Sequence, residues 1–439
     1  MEKWKPVAPQ LYAEFEQYTF EAFRALSQKP NPPIELLKEV TTTESSVAIA
    51  LVQTPAWGRL IADAEHELQS LPSYRALQQF LCNDERTLKH ARTLQHRGDG
   101  SPLTNEDLSR FFDWHVITRF LLNYLDGERS CQFEEGRFAL VYQPHEEWLM
   151  TNQQTVQTIA MLSSFVGPEE PFTIDQGITL RKANDRDFSE LVRRTDQQYR
   201  EFSSKRWMLE IETVVPKLSG VADPRAIKSI QDILGAIRLT KKGGAYCTNV
   251  LSKRMQDTSQ SSLLQLPASH VPSVSQFELR EDISAFLQSY EGIRSIRPTS
   301  PLEFPFRQFN YSYERTRVED RVIDLVIALE ALFVRDGGSG EIGYKFRMRL
   351  ARFLSSRDYT SQEVAEIAKN AYDMRSAIVH GNPAGQQKIY GKLRAVGIAN
   401  LDALAERVEE YARRSIQILL QDITAADPKR LDSLLLSRD

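Results

Sequence analysis

The chain has 439 residues, too many for one ordinary core, so two or three domains are expected. Hydrophobic residues make up 41% and charged residues 26%, typical of a globular protein rather than a disordered one. A net charge of −4 excludes a globally basic surface, so any contact with a polyanion must come from a local patch.

The opening Met1-Glu2-Lys3-Trp4-Lys5-Pro6 has no apolar run behind it and does not read as a signal peptide. From about residue 8 to 125, helical patterns alternate with short breaks, giving a mainly helical region over 1–125. Leu11, Phe15, Tyr18, Ala22 and Leu26 recur at helical spacing. Leu108, Phe111, Phe112, His115, Phe120 and Tyr124 do so more loosely. The run Lys29-Pro30-Asn31-Pro32-Pro33 is a stop, and the polar stretch Gln95–Pro102 reads as a surface loop.

The texture changes near 126, and residues 126–270 read as α+β. Strands are expected at Gly136–Tyr142, Phe172–Arg181 and Trp207–Val215, from alternation and β-branched content. Helices are expected at Thr155–Phe165, Phe188–Phe202 and Pro224–Leu239. Trp148 and Trp207 are expected to pack this block. The stretch Gln256–Ser275, rich in Ser, Gln and Pro, is the best domain boundary.

Beyond it the pattern is helical, and residues 275–437 form the third region. Helices are expected from Phe277 to Leu287, Val318 to Phe333, Ile342 to Phe353 and Leu401 to Leu420, with a Gly-rich break at Asp336–Gly340. Thr360 and Glu363 form a capping-box pattern that opens a helix running to His380. The most apolar stretch, Val322–Phe333, is interrupted by Asp324 and Glu330 and is far shorter than the roughly 20 residues of a membrane span. No membrane association is expected. Cys82, Cys131 and Cys247 are widely spread with no C-x-x-C, which disfavours structural zinc and a disulfide framework. The chain reads as cytoplasmic.

His90 and His96 have the wrong spacing for two ligands on a helix face, and His145-Glu146-Glu147 stands alone. No metal and no cofactor are expected. The most chemically loaded segment is Arg375-Ser376-Ala377-Ile378-Val379-His380, followed by Gly381-Asn382-Pro383. It places a permanently charged phosphate binder and a titratable imidazole near one another, where a helix must stop. Those groups suffice for cleavage of RNA through its own 2′-hydroxyl.

Val364, Ile367, Ala368, Ala371, Tyr372, Arg375, Ile378 and Val379 are expected to form one apolar stripe, with the Arg375 guanidinium reaching out of the seam. His380 lies about 140° around an ideal helix from Arg375. The two side chains therefore converge only if the last turn unwinds, or if they meet across a symmetric partner. Glu330 sits in an apolar helix and needs a partner, with Arg375, His380 or another arginine as candidates. Lys345, Arg349 and Arg352, at i, i+4 and i+7, are candidates to track an RNA backbone; a solvated face balanced by nearby acids is the plainer reading.

Four segments carry a family resemblance: Tyr372-x-x-Arg375-Ser376-x-Ile378-Val379-His380-Gly381, Arg321–Phe333 with its embedded Glu330, Tyr344–Ala351, and Phe309-Asn310-Tyr311 with Glu314-Arg315 leading into Asp320. Over roughly residues 275–437 the chain resembles the HEPN superfamily, in its ApeA-like branch, with a looser echo near Ala236–Gly243. The resemblance implies a mainly α protein with a C-terminal antiparallel helical bundle, preceded by a helical and α+β region. It implies a dimer or higher homo-oligomer through the bundle, and a metal-independent endoribonuclease of a toxin or antiphage defence system. Arg375 and His380 would be catalytic, supported by Ser376, Glu330 and Tyr372. Ser376 stands where active members often carry Asn, Asp or His. The competing class is a non-catalytic HEPN module for dimerisation or for RNA or nucleotide binding.

Overall fold

The computed structural model describes residues 4–29, 34–42, 47–94, 101–126, 128, 130–185, 187, 207–217, 219–255, 261–265, 277–335, 341–355 and 359–436. The chain is mainly helical, with its larger sheet in the N-terminal half. It divides into two units rather than three consecutive regions. Met1–Met161, Pro171–Ile227 and Asn249–Leu264 make the first, and Leu162–Glu170, Lys228–Thr248 and Gln265–Asp439 make the second. The texture change near 126 thus falls inside the first unit, ahead of one more helix, and the larger sheet begins only at Gln153. The helix expected at Phe188–Phe202, the breaks at residues 30–33 and 336–340, and residues 95–100 of the expected loop lie outside the described residues.

In the first unit, α1 (Pro9–Ser27) starts on a proline, whose missing N–H is no loss at that position. It buries Leu11, Phe15, Tyr18, Ala22 and Leu26, the positions its periodicity picks out. An antiparallel hairpin follows, β1 (Ile34–Thr42) with β2 (Val47–Pro55), inside a region read as helical. Then come α2 (Trp57–Asp63), α3 (Glu65–Ser70), α4 (Pro72–Asn83), α5 (Glu85–Leu94) and α6 (Asn105–Phe111). A π-helical segment, Phe112–Thr118, joins α6 to α7 (Arg119–Leu125).

The segment expected as a strand at Gly136–Tyr142 lies instead in α8 (Glu135–Met150). A strand would put Phe138, Leu140 and Tyr142 on one face. Phe138, Tyr142, His145 and Leu149 are buried at helical spacing, while Leu140 is 75% exposed.

His145 packs between Phe15 and Phe120, with ring centroids 5.3 and 5.1 Å away. Among the described residues neither of its ring nitrogens has a hydrogen-bond partner. Burial pushes this imidazole down to about 3, so it is neutral in the fold. Below the ordinary histidine value of about 6.5 only the unfolded chain takes up this proton. Stability is therefore expected to be intact above that pH and to fall toward pH 3, by up to about 1.4 kcal/mol per unit for this group. Urea midpoints measured from pH 7.5 to 5 check it: His145→Phe should flatten the acid slope, and an unchanged slope refutes the assignment.

The six-stranded sheet has the order β5-β6-β7-β3-β8-β9. Its members are β3 (Gln153–Ser163), β5 (Phe172–Asp175), β6 (Ile178–Lys182), β7 (Trp207–Pro216), β8 (Tyr246–Arg254) and β9 (Ser261–Gln265), the short β4 (Phe165–Val166) lying outside it. The helix expected at Thr155–Phe165 is thus a strand. Ile159, Ala160, Met161 and Leu162 are all buried, and a strand covered on both faces loses its alternation. The strand expected at Phe172–Arg181 is a hairpin, turning at Gly177 with φ +72°. A Cβ there would come within 2.9 Å of the Glu212 carbonyl oxygen, so glycine is required. β9 lies within the stretch read as a linker.

In the second unit β4 pairs in parallel with β10 (Phe277–Glu278), and the Phe165 and Phe277 rings stack at 5.7 Å. The helix expected at Phe277 therefore starts later, as α10 (Ile283–Arg294). The unit also holds residues from Lys228 onward of α9 (Pro224–Thr240), then α11 (Glu303–Ser312), α12 (Val318–Phe333), α13 (Ile342–Ser355), α14 (Ser361–Val379), α15 (Pro383–Ala395), α16 (Leu401–Gln421) and α17 (Pro428–Leu436). α12 packs on α11, α14 and α16, and α13 packs on α14 and α17.

Charge is buried in this core. Arg321 and Arg413 both donate to Glu409, which also accepts from the Tyr313 hydroxyl at 2.6 Å. Arg413 Nη2 donates to that hydroxyl at 3.1 Å, and its Nε to the Arg238 carbonyl at 2.9 Å. Among the described residues no helix is long and apolar enough to cross a membrane.

Candidate functional site

Thr360 caps α14, accepting from the Glu363 N–H at 3.3 Å. The Glu363 carboxylate accepts from Arg407 at 3.1 Å. The face that α14 buries runs through Val364, Ile367, Ala368, Ala371, Met374 and Ala377. This corrects the expected stripe at its end: Met374 and Ala377 continue it, Tyr372, Arg375 and Ile378 lie at its margin, and Val379 is 59% exposed.

Arg375 reaches Glu330 on α12, with Nη1 3.5 Å from Oε2 and side-chain exposures of 31% and 16%. Burial raises the Glu330 carboxyl, and the Arg375 charge opposes that rise. The candidate partner for Glu330 is therefore Arg375. Arg375 Nε is buried with no partner among the described residues. The guanidinium is held by one loose ion pair rather than by a bidentate clamp, leaving donors for an anion.

His380 is the C-cap, with φ −88° and ψ 5°, and its N–H donates to the Ser376 carbonyl at 3.0 Å. That bond is the ordinary helical one, so the last turn is wound. Gly381, at φ +59°, closes it: its N–H donates to the Ile378 carbonyl at 3.0 Å, and the Asn382 N–H to the Ala377 carbonyl at 2.8 Å. This paired arrangement stops the helix without distorting it. His380 is exposed, and its imidazole makes no hydrogen bond among the described residues. The unwinding that would bring His380 round to Arg375 in one chain does not occur.

Tyr372 packs on the start of α13: its ring is 6.1 Å from Phe346, and its Cε1 would lie 3.1 Å from a Cβ on Gly343. Ser376 is half-buried beside Arg375. Lys345 and Arg352 are partly exposed. Arg349, at the core edge of the same face, is buried where they are not. Its side chain is 1% exposed, its Nε and Nη2 meet both Asp432 oxygens at 2.8 and 2.7 Å, and its Nη1 donates to the Phe333 carbonyl at 3.0 Å. That set ties α13 to α17 and removes Arg349 from any RNA contact.

Among the described residues no group of three His, Cys, Asp or Glu side chains could hold a metal ion. No protein-family model matches the chain, and neither a curated protein nor a solved structure is significantly similar to it.

Sequence reasoning passed over the buried Glu409–Arg413–Arg321–Tyr313 set. Its signal was present: Glu409 and Arg413 are four apart on α16, amid Leu404, Ala405, Val408, Ala412 and Ile416. Charges at such positions must pair with each other or with a neighbouring helix.

Proposed function

We propose that the chain is a metal-independent endoribonuclease of HEPN type that acts as a homodimer, an effector in a toxin or antiphage response. The observation that carries this reading is the state of the Arg375–His380 end of α14. Arg375 is partly exposed with donor capacity left over, and His380 stands in solvent with a free imidazole. With the last turn wound, their approach to one phosphodiester comes from two copies of the helix, across a self-complementary interface.

His380 takes the proton from the ribose 2′-hydroxyl, and O2′ attacks phosphorus. The P–O5′ bond breaks, and an imidazolium returns a proton to O5′. Arg375 stabilises the charge that grows on the non-bridging oxygens. Glu330 holds Arg375 from behind, Tyr372 fixes α14 on α13, and Lys345 and Arg352 offer backbone contacts. The products are a 2′,3′-cyclic phosphate and a 5′-hydroxyl.

Incubating the purified chain with labelled RNA in EDTA, beside the same sequence as DNA, tests this. Cleavage of RNA alone, with cyclic phosphate ends, is expected. Binding of RNA without cleavage would instead favour a non-catalytic module.

A further inference from the structure

The first unit holds a cleft lined by residues that the nuclease reading leaves unused. About 210 Å³ in volume, it is walled by aromatic rings and acids. Tyr18, Tyr74 and Trp114 line it together with Asp113, Glu65 and apolar side chains such as Leu122. No lysine, arginine or histidine is among its lining residues.

The walls are built rather than incidental. Tyr18 and Tyr74 stand with ring centroids 5.7 Å apart and planes at 60°, so they form two sides of a corner. Tyr18 is 2% exposed, and its hydroxyl makes no hydrogen bond among the described residues. Asp113 Oδ1 accepts from the Tyr74 hydroxyl at 2.5 Å and from Gln78 Nε2 at 2.9 Å. Glu65 accepts only from the neutral Gln69, at 3.1 Å. Neither carboxylate has a cation within ion-pair distance among the described residues.

The π-helical segment Phe112–Thr118 supplies both Asp113 and Trp114. Such segments insert a residue into a helix and recur at functional sites, because they re-aim side chains that a regular helix would turn away. Trp114 is 57% exposed and lines the open side of the cleft.

We propose that this cleft binds a small organic ammonium ion, with the cation over the Tyr18, Tyr74 and Trp114 rings and against Asp113. Aromatic faces attract alkylated ammonium ions through their quadrupoles, and the carboxylates supply the counter-charge. Burial raises the Asp113 carboxyl, with Glu65 adding to the rise, so an entering cation relieves an existing penalty.

The test is titration of the full chain with choline, followed by calorimetry and by Trp fluorescence, beside 3,3-dimethylbutan-1-ol, its uncharged isostere. Saturable choline binding is expected, with the isostere about tenfold weaker or more. Asp113→Asn keeps an acceptor for Tyr74 and Gln78, and should weaken choline about tenfold with unchanged melting; Trp114→Ala should do the same. If either fails to fold, Glu65→Gln, on an exposed residue, should weaken choline severalfold. No saturation by about 20 mM, equal binding of the isostere, or unchanged affinity in Asp113→Asn overturns the proposal.

Discussion

Replacing Arg375 by alanine is expected to lower EDTA-resistant RNA cleavage by about 10²–10³-fold, and replacing His380 by alanine by about 10²–10⁴-fold. In the proposed reaction, the first removes the donor that meets the growing negative charge, and the second removes the proton carrier. Neither loss should come with unfolding, since Arg375 is tied only by a 3.5 Å ion pair and His380 is exposed. Circular dichroism and melting curves check that point. Mixing the two inactive chains gives the sharper result. If arginine and histidine meet across a dimer, a mixed dimer keeps one intact pair, and random exchange restores about one quarter of the native rate. If they meet within one chain, no mixture recovers activity. Full cleavage by Arg375→Ala would remove the assignment altogether.

Glu409→Ala is expected to destabilise the second unit by about 3–5 kcal/mol, the largest effect of any single change considered. The substitution leaves the Arg321 and Arg413 guanidinium groups buried without their shared carboxylate, and strips the Tyr313 hydroxyl of its acceptor. The loss belongs to the unpaired charges rather than to the ion pair itself. Replacing Glu409, Arg321 and Arg413 together by Met or Leu is therefore expected to recover most of it. Denaturant unfolding of the single and triple variants measures both. A single variant within about 1 kcal/mol of the native chain would show that water reaches the cluster.

The C-terminal helices were legible because they are long, periodic and punctuated. Val318–Phe333 carries its apolar pattern from end to end, and Thr360 and Gly381 mark where α14 starts and stops. The middle of the chain was not, because short apolar runs fit both periods. Phe138–Tyr142 reads as a strand and folds as helix, Thr155–Phe165 reads as a helix and folds as strand, and only the burial of both faces of β3 and the exposure of Leu140 separate them.

At the site, the need of Glu330 for a partner was readable from its apolar helix, and the ion pair with Arg375 meets it. Arg349 was misread from charge spacing alone. Phe346, Leu350 and Phe353 bracket it at helical spacing, which already put it on the core face of α13. The partner Asp432 lies 83 residues away, beyond any local pattern. The aromatic cleft was equally hidden, since Tyr18, Tyr74 and Trp114 come from three separate helical segments.

The interleaving of the two units bears on any attempt to take the protein apart. A gene fragment opening at residue 275 encodes α10 to α17 but omits Leu162–Glu170 and Lys228–Thr248, which belong to the same body. Phe277 then loses the Phe165 ring it stacks on, and Arg413 Nε loses the Arg238 carbonyl. During synthesis the ribosome must likewise emit the C-terminal helices before those earlier stretches find their partners. Cutting the chain at residue 275 thus leaves the C-terminal helices without part of their own body, whatever the activity of the intact molecule.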